Sequence, residues 1–173
     1  MNKVKLFLTL TGYQITWLAC VFGEKIFNSS LIGIYVGVIY LILYIYFCKN
    51  RVKFFKISFL ISIPGYFFDS LMVFYSIYEF KTFYTFGTLP LWMIILWLSF
   101  STLFDEVLIF FKKFKYLGII LSSILGPFTY YLGVSINVLS INNFILFYSL
   151  MTIFWFFLMI YYLEIVLKNY SES

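Results

Sequence analysis

Three of the seven carboxylates in this chain sit inside long apolar runs. Asp69 lies two residues past the middle of the run Ile57–Ile77, and the adjacent pair Asp105-Glu106 lies near the end of Leu89–Phe111. An acid at the centre of a bilayer costs on the order of 3 kcal/mol, so it does not face lipid. It is protonated or held by donors, and an intramembrane carboxyl is by default a functional candidate. Two neighbouring acids could act as general acid and base, or hold a divalent cation. The sequence has no histidine, which removes imidazole metal ligands and Ser-His or Cys-His nucleophile arrangements. No metal site and no cofactor is therefore expected. The two cysteines, Cys20 and Cys48, fall near opposite faces of the expected membrane, too far apart for a disulfide. They read as small buried hydrophobes.

The elements that must position these acids are helices. Hydrophobic residues make up 64% of the chain and charged residues 11%, against about 25% charged in a soluble domain. A spanning helix needs about 20 mainly apolar residues, and six runs qualify: Leu6–Gly23, Leu31–Cys48, Ile57–Ile77, Leu89–Phe111, Tyr116–Ile136 and Phe144–Leu163. The expectation is an all-α integral membrane bundle of six transmembrane helices, forming one domain over residues 1–173. Short connections make neighbouring helices antiparallel. Lys3 and Lys5 before the first run are read as a helix start, not a cleaved leader, because Trp17 occupies the place where a cleavage site wants a small residue. The tail from Glu164 onward reads as a short helix end that then frays.

Ten of the twelve basic residues fall at four places: Lys3 and Lys5; Lys49, Arg51, Lys53 and Lys56; Lys112, Lys113 and Lys115; and Lys168. The alternate gaps hold only Lys25 and Lys81. This is the positive-inside pattern of a protein with both termini in the cytoplasm. The net charge of +5 then faces anionic lipid headgroups rather than nucleic acid. The partners expected are the bilayer, those headgroups, and a second copy or another membrane protein.

Small and polar residues mark one face of several helices. Helix 3 carries Ser58, Ser62, Gly65, Asp69, Met72 and Ser76; helix 1 carries Thr9, Gly12, Thr16, Ala19 and Gly23; helix 5 carries Gly118, Ser122, Gly126, Thr129 and Gly133; helix 2 carries Gly33 and Gly37. Such faces let helix backbones approach in lipid. Helix 6, rich in Phe and Ile, is expected at the periphery. At a rise of about 1.5 Å per residue, Gln14, Asp69 and the Gly126-Pro127 pair share one depth. The candidate intramembrane site is therefore Asp69 with Gln14, Tyr13, Ser62 and Tyr130 as possible donors. Pro64-Gly65 and Gly126-Pro127 are expected to interrupt their helices, but they do not occupy equivalent places in two halves, so the inverted repeat of many transporters is not seen. Asp105 and Glu106 are the secondary candidates. Glu106 is expected inward, near helices 3 or 5, and Asp105 toward a basic loop or a neighbouring helix. Lys112, Lys113 or a base of the second loop is the expected partner.

The motifs Gly12-Tyr13-Gln14-x-x-Trp17, Gly65-x-x-x-Asp69-Ser70, Leu89-Pro90-Leu91-Trp92 with Trp97 and Phe100, and Gly126-Pro127-x-x-Tyr130-x-x-Gly133 stand in this order over most of the chain. In this the chain resembles the bacterial inner-membrane proteins catalogued as domain of unknown function 2878. The resemblance implies a small multi-pass protein of the bacterial inner membrane and transfers no reaction. That family often carries an Asn-His pair where this chain has Asp105-Glu106, so chemistry needing an imidazole there is not implied. Three functions remain open. The most concrete is transport or permeation of a small solute or proton around Asp69. The alternatives are a membrane-embedded enzyme or accessory factor in lipid modification, and an assembly or interaction protein. Nothing in the sequence names a reaction, so a noncatalytic role ranks first.

Overall fold

The computed structural model describes residues 3–82 and 84–168. Six α-helices lie among them: α1 (Lys3–Phe27), α2 (Ser30–Phe47), α3 (Arg51–Phe74), α4 (Leu91–Glu106), α5 (Lys115–Ser135) and α6 (Phe144–Tyr161). Five are long and apolar enough to cross a membrane, and α4 is the one that falls short. Large apolar side chains such as Phe7, Tyr35, Phe59, Ile124 and Ile145 face outward, while Thr9, Thr16, Ser58, Ser62, Ser99 and Thr102 are buried. A water-soluble domain arranges these classes the other way round. The surface suits a protein surrounded by lipid. The side chain of Lys3 and the expected frayed tail beyond Lys168 lie outside the described residues.

The short helix is the centre of the bundle. α4 packs against α1, α2 and α3. Hydrogen bonds join it to all three: Ser101 Oγ donates to Ser58 Oγ of α3 at 2.8 Å, Tyr40 Oη of α2 lies 2.6 Å from Thr102 Oγ1, and Lys5 of α1 donates to Glu106. Sequence reasoning expects this helix to continue to Phe111. Instead it stops at Glu106 and tightens into a 3₁₀ segment, Leu108–Lys112. The reason is a captured carbonyl. Tyr162 donates its hydroxyl to the Phe104 carbonyl oxygen, the group that an uninterrupted α-helix would offer to the residue 108 N–H. Tyr162 opens a five-residue π-helical stretch, Tyr162–Val166, at the end of α6. Helix α6 is accordingly not peripheral. It buries Phe147, Met151, Trp155, Leu158 and Met159.

The all-α class holds, and two short strand pairs are added to it at one end of the bundle. Helices α3 and α5 end alike. Each has a residue with positive φ just past its end, Ser76 (φ 53°) and Asn137 (φ 65°). The N–H after each turns back to the helix, Ile77 to Met72 O and Val138 to Gly133 O, both at 3.0 Å. This is the Schellman arrangement. The two chains that leave these caps are β1 (Tyr78–Phe80) and β4 (Leu139–Ile141), and they pair antiparallel with Glu79 opposite Ser140. A second pair, β2 (Thr85–Phe86) with β3 (Leu89–Pro90), closes a hairpin over Gly87 and Thr88. Gly87, at φ 66°, supplies the positive angle that a two-residue hairpin turn requires. One end of the molecule is thus a strand end. The other carries Lys5, Lys53 and the 3₁₀ segment.

The glycine-proline sites do not interrupt their helices. α3 runs through Pro64 and α5 runs through Pro127. The glycines instead seat aromatic rings. A Cβ on Gly65 would lie 2.4 Å from the Trp97 ring, one on Gly126 would lie 2.3 Å from Trp155, and one on Gly12 would lie 2.2 Å from Tyr40. The α1 and α3 stripes pack on neighbouring helices as expected. The α5 stripe does something else.

Candidate functional site

Asp69 is fully buried on α3. Burying a carboxylate is costly unless its oxygens are hydrogen-bonded, and here three donors converge on it. Tyr78 Oη from β1 donates to Oδ1 at 2.7 Å, Trp97 Nε1 from α4 donates to Oδ2 at 2.7 Å, and Tyr130 Oη from α5 lies 2.8 and 2.9 Å from the two oxygens. Each donor arrives by a feature described above. The Schellman cap of α3 turns the chain so that Tyr78 comes back over the helix. Gly65 lets Trp97 lie flat on α3. Ser62, one turn from Gly65, donates to the Trp97 carbonyl at 3.0 Å and fixes the height of α4.

Two of these donors, Trp97 and Tyr130, also form the wall of a cavity of about 260 Å³. It lies between α1, α4, α5 and α6 and is almost wholly apolar. All four tryptophans of the chain border it. So do Gly118, Ser122, Gly126, Thr129 and Gly133, the whole small-residue stripe of α5. Gly118 and Gly126 take the Phe111 and Trp155 rings, and Ser122 Oγ also lies 3.4 Å from the Trp155 carbonyl oxygen of α6, but the stripe as a whole borders open space. The hydroxyls in it are turned away, Ser122 to Ile119 O at 2.9 Å and Thr129 to Gly126 O at 2.7 Å. Asp69 does not border the cavity. It stands behind Trp97 and Tyr130 and holds both.

A second polar cluster lies at the other end of α4. The Lys5 ammonium pairs with Glu106, sits 3.5 Å from Asp105 and lies over the Tyr44 ring at 4.7 Å. Lys53 Nζ is 3.6 Å from the other Asp105 oxygen, and Tyr44 Oη donates to Asp105 at 2.7 Å. Asp105 is the deeper acid, with 5% of its side chain exposed against 17% for Glu106. The expected order is therefore reversed, and Glu106 meets α1 rather than α3 or α5. Of the expected partners, Lys53 from the second basic cluster does reach Asp105, Lys5 is the unexpected one, and no ion pair joins either acid to Lys112 or Lys113 among the described residues. An extra turn of helix explains this. α3 begins at Arg51, with Asn50 capping the Lys53 N–H at 2.9 Å, so Lys53 stands on the bundle beside α4.

A family model described as Protein of unknown function (DUF2878) matches residues 6–161. The chain belongs to that family. No match was found among curated proteins or among solved structures. In this DUF2878 chain the structure brings together Asp69 and Tyr130, with Ser62 holding the backbone of a third member. Tyr13 stands across the cavity, its ring 5.4 Å from that of Phe100. Gln14 does not join them. It is exposed on α1, one position round from Tyr13, because equal depth does not bring side chains to the same side. Sequence reasoning passed over Tyr78 and Trp97. Trp97 was visible as an indole donor on a helix next to the acid, whereas Tyr78 sits past a helix end where periodicity says nothing. Glu24 was also passed over. It is buried at the α1–α2 turn and accepts from Ser30 Oγ at 2.8 Å.

Proposed function

We propose that this DUF2878 protein is a noncatalytic protein of the bacterial inner membrane that takes a small solute into its bundle, in a binding or permeation role. The observation that carries the reading is the cavity whose wall is held by the Asp69 hub. A packing role alone would favour closing such a space, since interiors are normally filled to crystal-like density. Here the small residues of α5 border it with their hydroxyls bonded to backbone carbonyls, so no side chain of that stripe fills it. A proton-linked form of the role would run through Tyr130, which borders the cavity and donates to Asp69. A lipid-modifying enzyme would need a reactive group open to its substrate. Asp105 and Glu106 are engaged by Lys5, Lys53 and Tyr44, which counts against it.

The test uses the tryptophans. Phenylnaphthylamine, an uncharged dye that accepts energy from indole, is titrated into purified protein in nanodiscs. Saturable quenching of tryptophan emission, lost in Thr129→Phe, is the expected result. Quenching that never saturates, or that Thr129→Phe leaves unchanged, removes the solute site and favours the assembly role.

A further inference from the structure

We infer that the cavity is the seat of one acyl chain of an anionic phospholipid, which enters sideways from the bilayer between α1 and α5 and rests its headgroup on Lys112 and Lys113. This names the solute class of the site proposed above and rests on that reading.

Three observations lead to it. The first is the mouth. α1 and α5 both border the cavity without packing together. On the α5 side the bordering Leu125 and Thr129 are exposed, and between the two helices the α4 residues Leu96, Phe100 and Leu103 are only half-buried. The opening therefore faces lipid, not an aqueous end. The second is the shape and polarity. From Gly118 to Gly133 the stripe runs about 22 Å along α5 at 1.5 Å per residue, long and narrow against a hydrocarbon core of about 30 Å. With its hydroxyls bonded to backbone, it offers a chain dispersion contacts and asks for no hydrogen bond. A hydrophilic solute would lose its hydration there without replacement.

The third is charge. The cavity's far end is formed by Leu108 and Phe111 of the 3₁₀ segment and by Gly118. Lys112 and Lys113 follow directly, both exposed and neither in an ion pair with an acid among the described residues. Lys115 beside them is already bound to Glu164 at 2.5 Å. A chain in the groove thus brings its phosphate to two unneutralised ammonium groups. The early end of α4 places them there. Had the helix run on to Phe111, that ring would not fold back beneath the cavity. A second copy of the chain, the other occupant an apolar face might take, would carry its own Lys112 and Lys113 on the same membrane face when inserted the same way, so like charges would meet where the groove offers two lysines to an anion.

The test is quenching by brominated acyl chains, which act on contact. Trp92, Trp97 and Trp155 are buried, so lipid outside the groove does not reach them. The protein is reconstituted in neutral phosphatidylcholine with a small fraction of brominated phosphatidylglycerol or brominated phosphatidylcholine. The anionic lipid is expected to quench at roughly thirtyfold lower mole fraction, given about 1.4 decades for two lysines near a membrane surface. Lys112→Gln with Lys113→Gln abolishes the preference, and Thr129→Phe abolishes quenching of the buried rings by either lipid. Equal quenching by the two lipids in the native protein overturns the headgroup assignment. Quenching indifferent to Thr129→Phe overturns the groove as the site. A disulfide between copies carrying Leu125→Cys, formed at low protein density, overturns the lipid in favour of a second copy. If phenylnaphthylamine still binds and is still blocked by Thr129→Phe in any of these cases, the solute-binding role stands and the lipid assignment alone has failed.

Discussion

Asp69 takes its hydrogen bonds from residues 9, 28 and 61 positions along the chain, so one carboxylate ties together a strand and three helices. Removing it leaves three buried donors without a partner, and each such donor costs about 1–3 kcal/mol. Asp69→Leu is therefore expected to lower the thermal midpoint in detergent far more than Tyr78→Phe, which strands no donor and loses one bond of roughly 1–2 kcal/mol. Asp69→Asn should fold, since it keeps the shape and one acceptor. If the proton-linked form of the role is right, it folds and loses proton flux in proteoliposomes loaded with a pH-sensitive dye. The charged cluster gives a second ranking. Lys5 is buried between two acids, and breaking a buried pair from one side costs about 3–5 kcal/mol. Lys5→Met should thus be strongly destabilising, and Asp105→Asn more so than Glu106→Gln, the reverse of what helix faces suggest. A denaturation series on the three variants decides the order. At this scale the sequence was legible as far as chemistry and depth go. Asp69 and Tyr130 stand out by type and level. Gln14 was misjudged because level says nothing of direction, and Tyr78 was hidden because a turn had to be known first.

Helices, by contrast, were legible in number and nearly in extent, because 20-residue apolar runs leave the backbone few alternatives in lipid. What escaped was set by partners distant in sequence. The end of α4 depends on Tyr162 taking the Phe104 carbonyl, a contact across 58 residues. Tyr162→Phe should release that carbonyl and let α4 lengthen, which amide exchange at Leu108 would register as stronger protection. The strands had a local signal, the alternation in Tyr78-Glu79-Phe80 and Leu139-Ser140-Ile141, but short apolar runs at helix ends are easily absorbed into the helices. Their register is checked by cysteine pairs. Glu79→Cys with Ser140→Cys should crosslink on oxidation, and Glu79→Cys with Ile141→Cys, whose side chain lies on the opposite face in this register, should not. Native Cys20 and Cys48 are buried and free, so they give little background.

At the scale of the molecule, three helical hairpins share one device. In α1–α2, α3–α4 and α5–α6 a glycine of the first helix seats an aromatic ring of the second: Gly12 and Tyr40, Gly65 and Trp97, Gly126 and Trp155. Trp97 and Trp155 then stack at 5.8 Å across the hairpin boundary. A glycine-to-alanine change at any of the three overfills a ring contact, at roughly 1–3 kcal/mol. Gly126→Ala should also shrink the cavity from its Trp155 side and so weaken dye binding. The topology expectation belongs here too. Reporter fusions at Lys53 and Lys113 should share one side of the membrane, and those at Asn28, Thr85 and Ser140 the other. The first group is expected in the cytoplasm from the distribution of lysines. A cytoplasmic reporter signal at Asn28 would reverse the orientation.

The pairing of β1 with β4 sets a schedule for biogenesis. When α3 and β1 have been synthesised, the chain that will supply Tyr130 and β4 is still about 60 residues away. Until it arrives, the nascent protein carries an intramembrane acid short of a donor and a strand with an open edge, the features by which unfinished membrane proteins invite wrong partners. Insertion of the α5–α6 hairpin supplies both at once. Completion of the bundle is thereby coupled to masking of its two most hazardous groups, and a chain stalled before Leu139 would still carry the open β1 edge.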